Sequence, residues 1–144
     1  MVENQTASSS AASGGIGIKE FYAGKTILIT GSTGFVGKVV LEKFIRCIPD
    51  FKKIFVMIRA KKNMTLEQRL ERQIFSSQIF APLFKNNPGL RQQVQAKVVP
   101  VGGDLIIDKL GLSLEDRAMV TEETNVIINC AASVSFNDPL LDAL

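Results

Sequence analysis

The run Thr-Ile-Leu-Ile-Thr-Gly-Ser-Thr-Gly-Phe-Val-Gly at residues 26–37 constrains the fold of this chain more than any other segment. An apolar stretch ends at Gly31, and two further glycines, Gly34 and Gly37, follow at three-residue intervals. A glycine closing a buried strand allows a tight turn. A second lets a pyrophosphate approach the backbone, and a third lets a helix pack closely on the strand. Exposed N–H groups at the start of that helix, together with its dipole, then attract phosphate. The glycine spacing alone is weak; the strand before it and the amphipathic stretch after it supply the context that points to a dinucleotide. The alternative is a strand–helix turn that binds nothing.

The rest of the chain repeats the alternation. Residues 25–30 read as a buried strand and residues 35–47 as a helix, its apolar positions Val36, Val39, Val40, Phe44 and Ile48, stopped by Pro49. Residues 53–58 are a second strand. Thr65 is a candidate N-cap for a helix over 66–80 with a face of Leu66, Leu70, Ile74 and Phe75. Pro82, Pro88 and Gly89 break the region that follows, before a short helix at 90–95. Residues 97–101 form a third strand, Ser113 caps a short helix with Glu115 and Asp116 in its first turn, and 125–130 form a fourth strand. This succession predicts an α/β, Rossmann-type doubly wound parallel sheet, here partial, with strand order 3-2-1-4. Residues 1–20, rich in Ser, Ala and Gly at their start, read as a flexible leader without a secretory pattern. Residues 21–144 read as the N-terminal part of a nucleotide-binding domain whose further strands are expected beyond Leu144.

Composition removes several chemistries. The sequence has no histidine, which excludes a Ser-His-Asp triad and any His-ligated metal within it, and no metal site is expected. Its two cysteines, Cys47 and Cys130, sit in apolar contexts and fit a reduced, intracellular protein. A net charge of +3 does not imply a nucleic-acid partner. No apolar run approaches the ~20 residues of a membrane span.

Three further segments carry candidate chemistry. The second strand ends Met57-Ile58-Arg59-Ala60-Lys61-Lys62, where an NAD-preferring fold usually places an acid for the ribose 2′-OH. An Arg there can pair bidentately with a 2′-phosphate, so Arg59 favours NADPH over NADH; the alternative is a plain solvated basic loop. Ser32 and Thr33 can add hydroxyl contacts. Asp104 follows the third strand in Gly-Gly-Asp-Leu and can accept a hydrogen bond from an adenine amino group, or can simply form a turn. The small residues Asn-Cys-Ala-Ala-Ser at 129–133 permit close approach of a ribose or nicotinamide, or simply tight packing, and Cys130 reads as a small buried hydrophobe rather than a nucleophile. Glu67, Arg69, Glu71 and Arg72 read as a solvated helix face. Phe75, Phe80 and Phe84 read as core, with an acyl channel as the alternative.

The segments Phe-Tyr-Ala-Gly-Lys-Thr-Ile-Leu-Ile-Thr-Gly-Ser-Thr-Gly-Phe-Val-Gly (21–37), Ile-Arg-Ala-Lys-Lys (58–62), Gly-Asp-Leu (103–105), Leu-Gly-Leu-Ser (110–113) and Asn-Cys-Ala-Ala-Ser-Val-Ser-Phe-Asn (129–137) together resemble the amino-terminal part of alcohol-forming fatty acyl-CoA reductases, most closely their insect members. These belong to the extended short-chain dehydrogenase group. The resemblance implies reduction of a long-chain fatty acyl-CoA to a primary alcohol through an aldehyde, with two NADPH. It implies cofactor contacts at Gly31, Ser32, Thr33, Gly34, Phe35, Val36 and Gly37, at Arg59 for the 2′-phosphate, at Asp104 and Leu105 near adenine, and at Cys130 and Ala131 near the ribose. It also implies a peroxisomal or endoplasmic reticulum membrane location. The family's proton donor is a Tyr in a Tyr-x-x-x-Lys motif, yet the sole tyrosine here is Tyr22, ahead of the first strand. No catalytic residue is therefore assigned; the motif is expected beyond Leu144, and the isolated chain is expected to be inactive. Two other readings stand beside this one. The first is another extended short-chain reductase or epimerase. The second is a non-catalytic truncated product that binds NADPH or pairs with a full-length partner, its open sheet edge favouring homo-association.

Overall fold

Apolar strands such as Thr-Ile-Leu-Ile-Thr are stable only when both faces are covered, and the helices between them provide that cover. In a computed structural model of the chain, residues 15–133 are described. The stretch 1–14 of the leader and the end of the last motif at 134–137 lie outside them. Strands β1 (Thr26–Thr30), β2 (Lys53–Ile58), β3 (Val98–Gly102) and β4 (Val126–Asn129) form a parallel sheet in the order β3-β2-β1-β4, as the succession of motifs predicts. Helix α1 (Ile18–Tyr22) precedes the sheet and begins within the stretch read as leader. Helix α2 (Phe35–Cys47) connects β1 to β2. Between β2 and β3 lie α3 (Leu66–Arg69), α4 (Ala81–Asn86) and α5 (Leu90–Lys97). Helix α6 (Leu114–Glu123) precedes β4.

The period-two alternation of the strands divides the core. Ile27, Ile29, Ile54, Val56 and Ile58 face α2 and the segments after β2, where Leu41, Phe44, Ile45, Ile74, Phe80 and Val94 pack on them. Leu28, Phe55, Met57 and Val101 face the other way, against Val120 of α6. The first face is the better covered. On the second, Ile127 of β4 remains 67% exposed.

Three elements differ from the sequence reading, each for a physical reason. The buried face of α2 is Gly37, Leu41, Phe44 and Ile45, continued by Ile48; Val36 and Val39 are exposed. The phase is set by Gly37, whose Cα lies so close to the β1 turn that an added Cβ would overlap the Gly31 carbonyl oxygen. With Gly37 pinned inward, positions four, seven, eight and eleven residues later follow it. The helix from Thr65 begins as expected, with Thr65 Oγ1 accepting from the Gln68 N–H and Gln68 Oε1 accepting from the Thr65 N–H, both at 3.2 Å. It then widens into a π-helical turn over Leu70–Phe75 and ends there, not at Phe80. The Ser76 N–H reaches the Glu71 carbonyl at 2.9 Å, an i to i+5 bond. That wider turn buries Arg69 and Leu70 together with Ile74 and Phe75, pairs five residues apart that an α-helix would splay onto different faces. Finally, Pro82 does not break structure: it occupies the first turn of α4, where its missing N–H costs nothing.

Ion pairs contribute little to this scaffold. Arg46 and Glu42 on α2 meet at 2.7 Å, and the carboxylate raises the exposed guanidinium's pKa through the hydrogen bond and its charge. Lys53 at the start of β2 meets Glu123 of α6 at 2.6 Å.

The helix phase makes a discriminating prediction. Leu41→Ala should lower unfolding stability by about 2–5 kcal/mol, whereas Val39→Ala should cost about 0.5 kcal/mol. Urea titrations followed by circular dichroism measure both, and similar losses would contradict the phase. Gly37→Ala should cost about 1–3 kcal/mol or prevent folding, because the helix must lift off β1 to admit a methyl group.

Candidate functional site

Strand register brings the predicted residues to one edge. Ile29 of β1 pairs with Val56 of β2, Ile58 of β2 with Gly102 of β3, and Thr30 of β1 with Asn129 of β4. The residues that follow therefore leave the sheet side by side: Asp104, then Arg59, then the Gly31 loop, then Cys130 and Ala131. This is the carboxyl edge of a parallel sheet, where ligands of doubly wound folds bind.

The glycine loop is the centre of that edge. Gly31 adopts φ +71°, the left-handed region that glycine enters freely. A Cβ there would lie 2.5 Å from the Ala131 nitrogen and 2.6 Å from the Cys130 carbonyl carbon. The β1 turn and the β4 exit are thus in backbone contact, which joins two segments that are remote in sequence. The contact is reinforced by the Thr30 hydroxyl, which donates to Asn129 Oδ1, and by the Cys130 N–H, which donates to the Thr30 carbonyl at 3.2 Å. The Gly34 N–H returns to the Gly31 carbonyl at 3.0 Å and closes the loop. Helix α2 then starts with no side-chain cap and no acid in its first turn. Its first N–H groups have no carbonyl of their own helix to bond. Residues 33–36 are exposed around them, so the loop forms an open cradle of donors at the positive end of a helix dipole. This geometry fits a pyrophosphate. Ser32 is the exception within the loop: its side chain is fully buried, and its hydroxyl has no hydrogen-bond partner among the described residues.

Arg59 emerges exposed from the end of β2, followed by exposed Lys61 and Lys62, with no carboxylate paired to any of the three among the described residues. Beside it, the Gly103 N–H extends the sheet to the Ile58 carbonyl at 3.1 Å. Gly103 has no room for a side chain, since a Cβ would meet Met57 Sδ at 2.7 Å and the Leu110 carbonyl at 2.8 Å. Asp104 holds a tight loop: its N–H donates to the Leu110 carbonyl at 2.8 Å, and its Oδ1 accepts from the Ile106 N–H at 3.3 Å. The loop carries two strained residues, Lys109 at φ 56° and Leu110 at φ 62°. Each costs about 1–2 kcal/mol, offset by the Asp104 bond and by packing of Leu110 on the second core face. Leu105 is exposed next to Asp104, and Cys130 and Ala131 are half-buried behind the glycine loop.

Sequence reasoning missed one residue of this edge. Arg69, read as part of a solvated face, is 7% exposed. Its guanidinium donates to the Arg59 carbonyl and twice to Gln73 Oε1, at 2.8 and 3.2 Å. Nothing in the spacing of charges marks it, because its partners are a backbone carbonyl and an amide. The phenylalanines behave as core: Phe80 and Phe75 are buried and meet Phe84 in a cluster with centroids 5.6–5.8 Å apart. Tyr22 also packs, edge-on to Phe44 at 4.9 Å.

Comparison with known proteins gives the family. Residues 29–144 match the family model of the NAD-binding Male sterility protein family. The chain is 43% identical to fatty acyl-CoA reductase 1 of Rattus norvegicus and 40% identical to that of Homo sapiens, each over 129 residues. Those alignments take in 90% of this chain and 24% of each relative, so the chain spans about a quarter of the length of the curated relatives it matches. Among solved structures, it is similar to the terminal R domain from the myxalamid PKS-NRPS biosynthetic pathway. The TM-score is 0.60 at 28% identity, covering 84% of this chain and 28% of that one. Sequence match, strand order and the glycine edge agree: the chain belongs to the NAD-binding Male sterility protein family.

Proposed function

We propose that this chain is the coenzyme-binding part of an NADPH-dependent fatty acyl-CoA reductase that converts a long-chain acyl-CoA to a primary alcohol. The observation that carries the reading is the charge at the end of β2. Arg59 stands there with Lys61 and Lys62, and no acid is present to hold a free ribose 2′-OH or to repel a 2′-phosphate. In this reading the first-turn N–H groups of α2 and the loop at 31–37 hold the pyrophosphate. Arg59 pairs with the 2′-phosphate, Asp104 and Leu105 flank adenine, and Cys130 and Ala131 border the ribose. Ser32 contributes through its backbone, its hydroxyl being turned inward. The bound coenzyme supplies hydride for the acyl carbonyl.

The acyl-CoA substrate follows from the named relatives, fatty acyl-CoA reductases at 40–43% identity. By family resemblance we propose an intracellular, peroxisomal or endoplasmic reticulum membrane location for the full-length enzyme; no described helix is long and apolar enough to cross a membrane. The proton donor is not among these residues: the sequence has no Tyr-x-x-x-Lys, and its one tyrosine is engaged with Phe44. We assign the chain alone coenzyme binding without turnover. A second reading, self-association, is favoured by one observation: among the described residues β4 lies at the sheet edge, with its Ile127 exposed.

Calorimetric titration of the 144-residue chain with each coenzyme tests the assignment. Arg59→Gln should weaken NADPH binding about 10- to 100-fold, the worth of charged hydrogen bonds, and leave NADH binding unchanged. Equal affinities of the unaltered chain for NADPH and NADH would refute the 2′-phosphate assignment.

A further inference from the structure

Arg69 is the one charged side chain buried in the described structure, and no carboxylate among the described residues pairs with it. A guanidinium withdrawn from water normally requires a counter-charge or a full set of acceptors. Here it has two neutral acceptors, Gln73 Oε1 and the carbonyl of Arg59. The two bonds to Gln73 lock the planar fork on its own helix and aim the remaining nitrogen at the end of β2. The π-helical turn at Leu70–Phe75 allows this, because it buries Arg69 alongside Leu70, Ile74 and Phe75. The sheet-like bond from Gly103 to Ile58 ends one residue earlier, so the Arg59 carbonyl, just past β2, is held by a side chain instead of the sheet.

We propose that Arg69 is a positioning residue for coenzyme selectivity. By fixing the Arg59 peptide plane it directs the exposed Arg59 side chain toward the ribose 2′-phosphate, and its buried charge adds to those of Arg59, Lys61 and Lys62 at the end of β2. This rests on the reading that Arg59 meets that phosphate, and it extends the selectivity site to a residue that does not touch the ligand.

The test is a double-mutant cycle on the 144-residue chain, with NADPH and NADH as separate titrants. Arg69→Gln should weaken NADPH binding about tenfold and change NADH binding by less than about twofold. In an Arg59→Gln background the same substitution should have no further selective effect, because its route to the phosphate is gone. Arg69→Lys keeps the charge but cannot hold both acceptors in one plane. It should show the same selective loss, and it replaces Arg69→Gln in the cycle if that variant does not fold. Equal weakening of both coenzymes, independent losses that multiply in the double variant, or full NADPH binding by Arg69→Lys would each overturn the positioning role. Failure of the underlying reading looks different: Arg59→Gln alone would then weaken both coenzymes alike, or neither.

Discussion

The structure depends on a backbone-to-backbone contact. Gly31 turns the chain at the end of β1 in a left-handed conformation, and Gly37 brings the first turn of α2 onto that turn with no space for a side chain between them. From this contact follow the phase of α2, the identity of its buried face and the outward aim of its first N–H groups. The same turn presses on the backbone of Cys130 and Ala131, so β4 is held at the glycine loop as well as by its pairing with β1. One constraint thereby orders the core and opens the donor cradle. A side chain at either glycine would disturb both.

Much of this was legible in the sequence, and the rest was hidden for identifiable reasons. The four strands were readable because short apolar runs end at glycine or at small polar residues, and their order followed from right-handed crossovers. The candidate residues could be assigned to one edge because they lie in the turns and helix start that follow the strand ends. The face of α2 was not, since Val36 and Val39 are as apolar as Leu41 and only the Gly37 contact decides among them. The π-helical turn escaped because a five-residue spacing of buried positions fits neither helix nor strand periodicity. Helix α4 escaped because Pro82 reads as a stop unless its place in the first turn is known. Arg69 escaped because a charge satisfied by a carbonyl and an amide leaves no pattern of opposite charges.

In the proposed function, the carboxyl edge divides its work between backbone and side chains. Backbone N–H groups at the glycine loop suit any dinucleotide, because pyrophosphate is common to all of them. On the reading proposed above, discrimination falls to side chains at the end of β2, where buried Arg69 holds the carbonyl of exposed Arg59. The loop after β3 adds a third element, held by Asp104 through two strained residues. That strain persists because the hydrogen bonds and the packing of Leu110 over-determine the loop. The fatty acyl-CoA reductases named above align with 90% of this chain and over 24% of their own length.

The most direct test of the central claim is a two-dimensional amide NMR titration of the chain with NADPH. The largest shifts should fall on the N–H groups of residues 33–37, with accompanying changes at Arg59, Asp104 and Ala131 and little change along α5 or the outer face of α6. Shifts confined to other surfaces, or a loop at 33–37 that does not respond at saturating coenzyme, would contradict it.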